Sequence, residues 1–103
     1  MKYIVIDASL SGTGIRDKYE GGYILAEKLS LSSEITQRLC VWLVKYENEH
    51  YNGFINFRTI DELDQEGKDI GLMIKKELLY VKIEYFSAAR MTNEIITDES
   101  KYK

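Results

Sequence analysis

The chain has 103 residues, of which 45% are hydrophobic and 30% are charged, a balance that is typical of globular domains and excludes a disordered chain. This length supports one hydrophobic core, so we expect residues 1–103 to form a single domain. A formal net charge of −3 disfavours nucleic acid as a partner, because lysine and arginine contacts to phosphates supply most of that affinity.

The first predicted element is a β-strand over residues 2–7, where Tyr, Ile, Val and Ile form a nearly continuous apolar run. Such a run is typical of a strand that is covered on both faces of its sheet. Residues 8–22 contain four of the seven glycines, which predicts a long loop. Residues 23–25 are either a short edge strand or a continuation of that loop.

An amphipathic helix is predicted over residues 32–50, with Ser32 or Ser33 capping its first turn. Val41 and Val44 lie away from its main apolar face, which leaves open a helix that is covered on more than one side. That main face repeats at helical spacing and consists of Ile35, Leu39, Trp42, Leu43 and Tyr46.

A second amphipathic helix is predicted over residues 59–79. Thr59 and Glu62 have the spacing of a capping box, in which each side chain accepts a hydrogen bond from a backbone N–H of the first turn. Acidic residues crowd the first two turns and lysines stand near the end, which matches the helix dipole. The apolar face consists of Leu63, Gly67, Ile70, Ile74 and Leu78.

A strand with alternating character is predicted over residues 81–87, followed by a turn over 88–93 and a short strand over 94–97. Residues 98–103 form a polar tail that is expected to fray. The predicted fold class is therefore α/β or α+β, with a small sheet of two to four strands and two amphipathic helices packed on it.

The loop after the first strand raises the possibility of phosphate chemistry. Asp7 ends a strand, and the segment Ser9–Gly14 is rich in serine and glycine, so its backbone N–H groups could hold a phosphate. The third glycine of a dinucleotide motif is missing, since position 17 is Asp17, and no Gly-Lys-Ser/Thr sequence is present. The competing interpretation is that Asp7 caps a turn and the glycines shape a connection.

Other catalytic or metal-binding patterns have little support. Asp7 could form an acid–base pair with Asp17 or with Glu84, although solvated charges are the simpler interpretation. His50 and Cys40 lie ten residues apart, about 15 Å along one helix, which is too far for both to bind one zinc ion. We therefore expect no cofactor and no metal, and a Cys40 that packs near the core.

The cellular compartment can be argued from cysteine content and hydropathy. One cysteine cannot form an internal disulfide, which suits a reducing compartment. The N-terminal residues do not resemble a signal peptide, and no apolar run approaches the ~20 residues that span a bilayer. These features predict a cytoplasmic protein without a membrane partner.

Acidic residues and aromatic residues concentrate where the first helix ends and the second begins. If the two helices form a hairpin, these side chains lie at one end of the molecule and make a docking site for a basic protein. Solvated charges that match the helix dipole are the competing explanation. The predicted partner-binding residues are Glu47, Glu49, Tyr51, Phe54, Asp61, Glu62, Asp64, Glu66 and Asp69.

The segments KYIVID, SLSGTGIRD, EGGYI, EHYNGF and IEYFSAARMT together resemble small bacterial immunity proteins of toxin–immunity systems, including those of contact-dependent growth inhibition. The resemblance implies a non-catalytic protein that binds and neutralises a cognate toxin domain, often a nuclease. It carries no motif that assigns individual site residues. The alternatives are a small phosphate- or nucleotide-handling enzyme that uses Asp7 and the Ser9–Gly14 loop, and a homo-oligomeric domain that associates through tyrosine-rich surfaces.

Overall fold

The computed structural model describes residues 2–10 and 12–97. Its strands form one mixed sheet in the order β2–β1–β3–β4, in which β1 and β3 are parallel and the two outer pairs are antiparallel. The predicted fold class is confirmed, as an α+β fold with a four-stranded sheet and two helices. In chain order the elements are β1 (Tyr3–Asp7), β2 (Ile15–Asp17), a 3-10 helix (Ala26–Leu29), α1 (Ser33–Tyr51), α2 (Phe57–Glu77), β3 (Lys82–Ser87) and β4 (Thr92–Ile96).

The two helices form an antiparallel hairpin that packs on one face of the sheet. Trp42 is fully buried between them, and its indole N–H donates to the backbone carbonyl of Leu63 at 2.8 Å. Gly67 lets α2 approach closely, since a Cβ atom there would lie 2.7 Å from the Trp42 ring and would collide with Tyr85. The core joins apolar residues of both helices to sheet residues such as Ile6 and Ile83.

The helix boundaries confirm one predicted cap and correct the other. Ser32 caps α1, because its side chain accepts a hydrogen bond from the N–H of Ile35. The predicted capping box of Thr59 and Glu62 is wrong, since α2 begins earlier and its cap is Asn56. The Asn56 side chain accepts from the N–H of Thr59, an arrangement that stabilises a helix start in the same way as serine.

Two loop predictions also need correction. The long loop predicted over residues 8–22 contains β2, which pairs with β1, and Tyr23 adds a single bridge to Arg16 on the outer side of β2. The predicted turn over 88–93 is shorter, because β4 already begins at Thr92. A three-residue strand is too short to show the alternation of apolar and polar residues, which explains why β2 was not predicted from the sequence. The fraying predicted for residues 98–103 lies outside the described residues.

The outer face of α1 is exposed to solvent. Cys40 is exposed, so its predicted position near the core is wrong. Val41 and Val44 are exposed as well, and α1 is therefore covered on one side. Within residues 2–10 and 12–97, no helix combines the length and the apolar character needed to cross a bilayer.

Candidate functional site

Three connections converge at the end of the sheet where the parallel strands β1 and β3 finish. His50, near the end of α1, lies 3.3 Å from the carbonyl oxygen of Ala8 in the β1–β2 connection, measured from its Nε2 atom. Arg90, in the β3–β4 turn, forms an ion pair with Asp61 in the first turns of α2. The α1–α2 turn, the β1–β2 connection and the β3–β4 turn therefore form one end of the molecule.

This end carries a concentration of exposed apolar side chains. Tyr51, Ile55 and Phe57 lie within seven residues of each other around the α1–α2 turn, and their exposed fractions are 73%, 79% and 72%. Met91 in the β3–β4 turn is exposed to 73%. We call these four residues the hairpin-end surface. Because water disfavours clustered apolar side chains, such surfaces mark interaction sites more often than isolated exposed residues do.

Carboxylates border the hairpin-end surface. Glu47 is exposed and accepts a hydrogen bond from the Tyr51 hydroxyl at 3.2 Å. Asp61 stands one helical turn after Phe57, and 72% of its side chain is exposed although it pairs with Arg90. Glu62 is exposed beside it. These positions agree with the predicted acidic and aromatic end of the helix hairpin.

Asp64 occupies a different place from the one predicted, because it is only 6% exposed. One of its oxygens accepts hydrogen bonds from the hydroxyls of Tyr46 at 2.8 Å and Tyr85 at 2.6 Å. The other accepts from the Ser87 hydroxyl at 2.8 Å and from Arg90 at 2.7 Å. A buried carboxylate with four donors stabilises the packing of α2 on α1 and β3, and Asp64 is not part of an exposed acidic surface.

The tyrosines that bind Asp64 are held in the protonated form. Burial is the main cause that raises the pKa of Tyr85 far above its ordinary value, and its hydrogen bond to Asp64 acts in the same direction. Burial also raises the pKa of Tyr46, which outweighs the opposing hydrogen bonds from Ser87 and Ala89. Both hydroxyls therefore act as permanent donors to Asp64 at neutral pH.

Phe54 and Glu49 are likewise turned inward compared with the prediction. The Phe54 ring packs edge-on against Tyr46 and His50, with ring centroids 6.0 and 4.6 Å apart. Its backbone is left-handed, with φ of 57°, which directs the ring under the α1–α2 turn. Glu49 is half-buried, and its Oε2 atom is enclosed with no hydrogen-bond partner among the described residues. The exposed aromatic residues of this end are thus Tyr51 and Phe57.

The last two predicted residues, Glu66 and Asp69, lie along α2 and away from the hairpin-end surface. Glu66 pairs with Lys45 of α1 at 2.9 Å, and this ion pair bridges the two helices. Asp69 is twelve residues after Phe57, about 18 Å along the helix axis, and accepts a hydrogen bond from Gln65. The nine predicted residues therefore do not share one end of the molecule.

In the glycine-rich connection, Asp7 bonds within the protein. One of its oxygens accepts from the backbone N–H and the hydroxyl of Ser9, and the other pairs with Arg16 at 2.9 Å. A Cβ atom on Gly12 would overlap the Tyr23 ring, and one on Gly14 would lie 3.1 Å from Leu39. The space that these glycines leave is thus filled by the protein's own side chains. Phosphate binding here stays a prediction, and the turn-capping interpretation of Asp7 agrees with the hydrogen bonds.

The predicted acid pairs are each held by separate partners. Glu84, on the sheet face away from the helices, accepts hydrogen bonds from Tyr3 at 2.8 Å, Lys18 at 3.0 Å and Asn93 at 2.5 Å. Burial alone would raise the pKa of Glu84, but these donors outweigh it and the pKa is lowered. Glu84 therefore stays ionised, which is the opposite of what a general acid requires. Asp17 accepts from backbone N–H groups of its own turn.

Several residues of this end were not among the predicted site residues. Ile55 lies in the connection next to Phe54, and Met91 stands between Arg90 and Thr92, so no periodicity indicates which of these apolar residues is exposed. Phe57 lies before the predicted helix start at residue 59, so the sequence does not indicate its position on the first turn of α2. Arg90 had no sequence signal, because its two carboxylate partners lie 26 and 29 residues away.

Among residues 2–10 and 12–97, no three histidine, cysteine, aspartate or glutamate side chains are grouped so that they could hold a metal ion. A scan against protein-family models, a search of curated proteins and a search of solved structures each returned no match to this chain.

Proposed function

We propose that this chain is an immunity protein, which binds a cognate bacterial toxin domain through its hairpin-end surface and neutralises it. The observation that carries the proposal is the group of four apolar side chains, each more than 70% exposed, at an end of the molecule where three connections meet. The proposal includes a cytoplasmic location, as expected from the single cysteine.

The residue types of this surface suit a protein partner. Tyrosine, phenylalanine and methionine are enriched in the cores of protein–protein interfaces. The aromatic side chains bury a large area for two rotatable bonds, and the flexible methionine adapts its shape to the partner. A ring of carboxylates around such a core provides a polar rim, which excludes water from the central contacts. Tyr51 and Phe57 are the expected anchors, since they are the exposed aromatic residues around the α1–α2 turn.

The charge of the rim favours a basic partner, and a nuclease is the toxin class that fits best. A nuclease binds a polyanion, so the surface around its active site carries lysine and arginine. Glu47, Asp61 and Glu62 would complement that surface and accelerate association through electrostatic steering. Covering the basic surface would block access of the nucleic-acid substrate, which would neutralise the toxin without any chemical reaction.

The direct test is co-purification of this chain with the product of the adjacent upstream gene, followed by titration calorimetry and a nuclease assay. We expect a one-to-one complex in which the nuclease activity is lost. Tyr51→Ala and Phe57→Ala should each weaken the complex at least about thirtyfold, because truncating an aromatic anchor in an interface costs about 2 kcal/mol or more.

Tyr80→Ala is the matched control. Among the residues that the structure describes, Tyr80 is the most exposed large hydrophobic one, at 87%, and it lies in the α2–β3 turn at the opposite end of the helix hairpin. This variant should bind within twofold of the native chain. If no complex forms with the neighbouring gene product, the proposed function is wrong; if Tyr80→Ala weakens binding as much as Tyr51→Ala, the surface has been misassigned.

A further inference from the structure

The sheet has one long exposed edge, which is the outer side of β4. In the part of the chain that the structure describes, no strand pairs with this side of Thr92–Ile96, and four of its five residues are exposed. The opposite edge is less accessible, because β2 has three residues and is bridged by Tyr23. An exposed edge strand offers unpaired backbone donors and acceptors to an added strand.

A cavity of about 490 Å³ lies directly beside this edge, on the helix side of the sheet. It is bounded by α2 on one side and by the β3–β4 hairpin on the other, and each residue that lines it has a polar side chain. Residues that face it include Asp61, Gln65, Lys68, Thr92 and Glu94. A strand added to β4 would direct every second side chain to the helix side, and one of these would enter the cavity.

The other face of the sheet offers a contact of different character. Ile95 is 44% exposed there, beside Glu84 in the register of β3 and β4. The alternate side chains of an added strand would pass over Ile95. A polar cavity on one face and an exposed isoleucine on the other form the pair of contacts that gives an added strand its specificity.

The charges of the cavity identify the side chain that it would accept. Three carboxylates and two cations line it, and the cations already pair with those carboxylates. Asp61 uses Oδ1 for Arg90, and Glu94 uses Oε2 for Lys68. The second oxygen of each carboxylate accepts no hydrogen bond from the described residues, and the two side chains are 72% and 57% exposed. A lysine or arginine side chain of a partner would therefore complement these two free carboxylate oxygens.

We infer that the toxin contributes an extended basic segment, which pairs with the edge of β4 and places a lysine or arginine side chain between Asp61 and Glu94. This inference rests on the proposed function and defines how the partner is recognised. Asp61 borders both the hairpin-end surface and the cavity, so the apolar anchors and the added strand form one continuous interface.

Hydrogen–deuterium exchange of the free chain and of its complex with the toxin domain tests the strand pairing. Amides of residues 92–96 should exchange at least about tenfold more slowly in the complex, because strand addition protects the outward N–H groups. Glu94→Gln and Asp61→Asn should each weaken the complex about tenfold, and the loss should shrink at high salt because it removes a charge contact.

Glu34→Gln is the matched control, since Glu34 is 69% exposed and ion-paired but lies in the first turn of α1. It should bind like the native chain, and melting temperatures of all three variants should confirm that each folds.

The possible failures can be told apart. A complex that forms while residues 92–96 exchange as in the free chain would overturn the strand inference and leave the proposed function intact. Protection that appears in the free chain and rises with its concentration would assign the edge to a second copy and would also overturn the inference. Absence of any complex would refute the proposed function, and the inference would fail with it.

Discussion

The two faces of α2 carry carboxylates in opposite roles. On the inner face, Asp64 is buried and accepts four hydrogen bonds from two tyrosines, a serine and an arginine. On the outer face, Glu62 and Asp69 are exposed to solvent. The inner carboxylate stabilises the fold, whereas the outer carboxylates remain available for a partner.

The difference between these faces follows from helical phase. Ile60, Asp64, Gly67 and Gly71 recur at intervals of three and four residues, so Asp64 lies on the side that contacts the sheet. Burial of a carboxylate is tolerated only when donors replace its hydration, and the two tyrosine hydroxyls, Ser87 and Arg90 supply them. Charge density along the sequence therefore does not by itself identify an interaction surface.

The sharpest test of this comparison replaces one carboxylate on each face with the isosteric amide. Asp64→Asn should lower the free energy of unfolding by about 3 kcal/mol, because Arg90 loses the buried one of its two carboxylate partners and a hydroxyl loses an acceptor. Asp69→Asn on the outer face should change it by less than about 0.5 kcal/mol. Urea denaturation measures both values, and equal effects would contradict the division into two faces.

A second test applies the same comparison to the two phenylalanines of the α1–α2 turn. Phe54→Ala should cost about 2 kcal/mol of stability, since the ring packs on Tyr46 and His50 and would leave a cavity. Phe57→Ala should cost less than about 0.5 kcal/mol, because the ring is 72% exposed. Thermal unfolding of the two variants measures both losses of stability. A larger loss in Phe57→Ala than in Phe54→Ala would show that the Phe57 ring stabilises the fold and is not free to bind a partner.

The smallest expected effect concerns alkaline pH. The pKa values of Tyr46 and Tyr85 are raised in the folded chain above 10.0, so the unfolded chain releases their protons first. Stability is fully present below pH 10 and falls as the pH rises above it, by about 1 kcal/mol for Tyr85 between pH 10 and 11, and Tyr46 adds to the loss in the same direction. Urea midpoints measured as a function of pH should fall less steeply above pH 10 in Tyr85→Phe than in the native chain. Parallel pH dependences would contradict a raised pKa of the Tyr85 hydroxyl.

Much of the fold could be predicted from local sequence patterns. The spacing of Ile35, Leu39, Trp42 and Tyr46 determines the buried face of α1, and the apolar run after Lys2 determines β1. Patterns of this kind work because helices and strands repeat every 3.6 and two residues. β2 was missed because three residues cannot display a period, and the start of α2 was misplaced because Asn56 and Thr59 both resemble caps.

The candidate site was predicted less completely than the fold. The acidic and aromatic character of the α1–α2 turn was visible, and Glu47, Tyr51, Asp61 and Glu62 are exposed there. Asp64 could have been separated from them by extending the apolar face of α2 back to Ile60, which places the aspartate on it. The inward position of Phe54 could not have been predicted from the sequence, since it depends on a left-handed backbone at a residue that is not glycine.

The sequence by itself determined the two α-helices, their apolar faces and the strands other than β2, because these depend on residues that are near one another in the chain. Tertiary structure alone decided that Arg90 meets Asp61 and Asp64, that β4 is the exposed edge, and that Met91 joins Tyr51, Ile55 and Phe57 at one end. The two Arg90 contacts join residues 26 and 29 positions apart, and the placement of all these groups is fixed by the packing of the helix hairpin on the sheet.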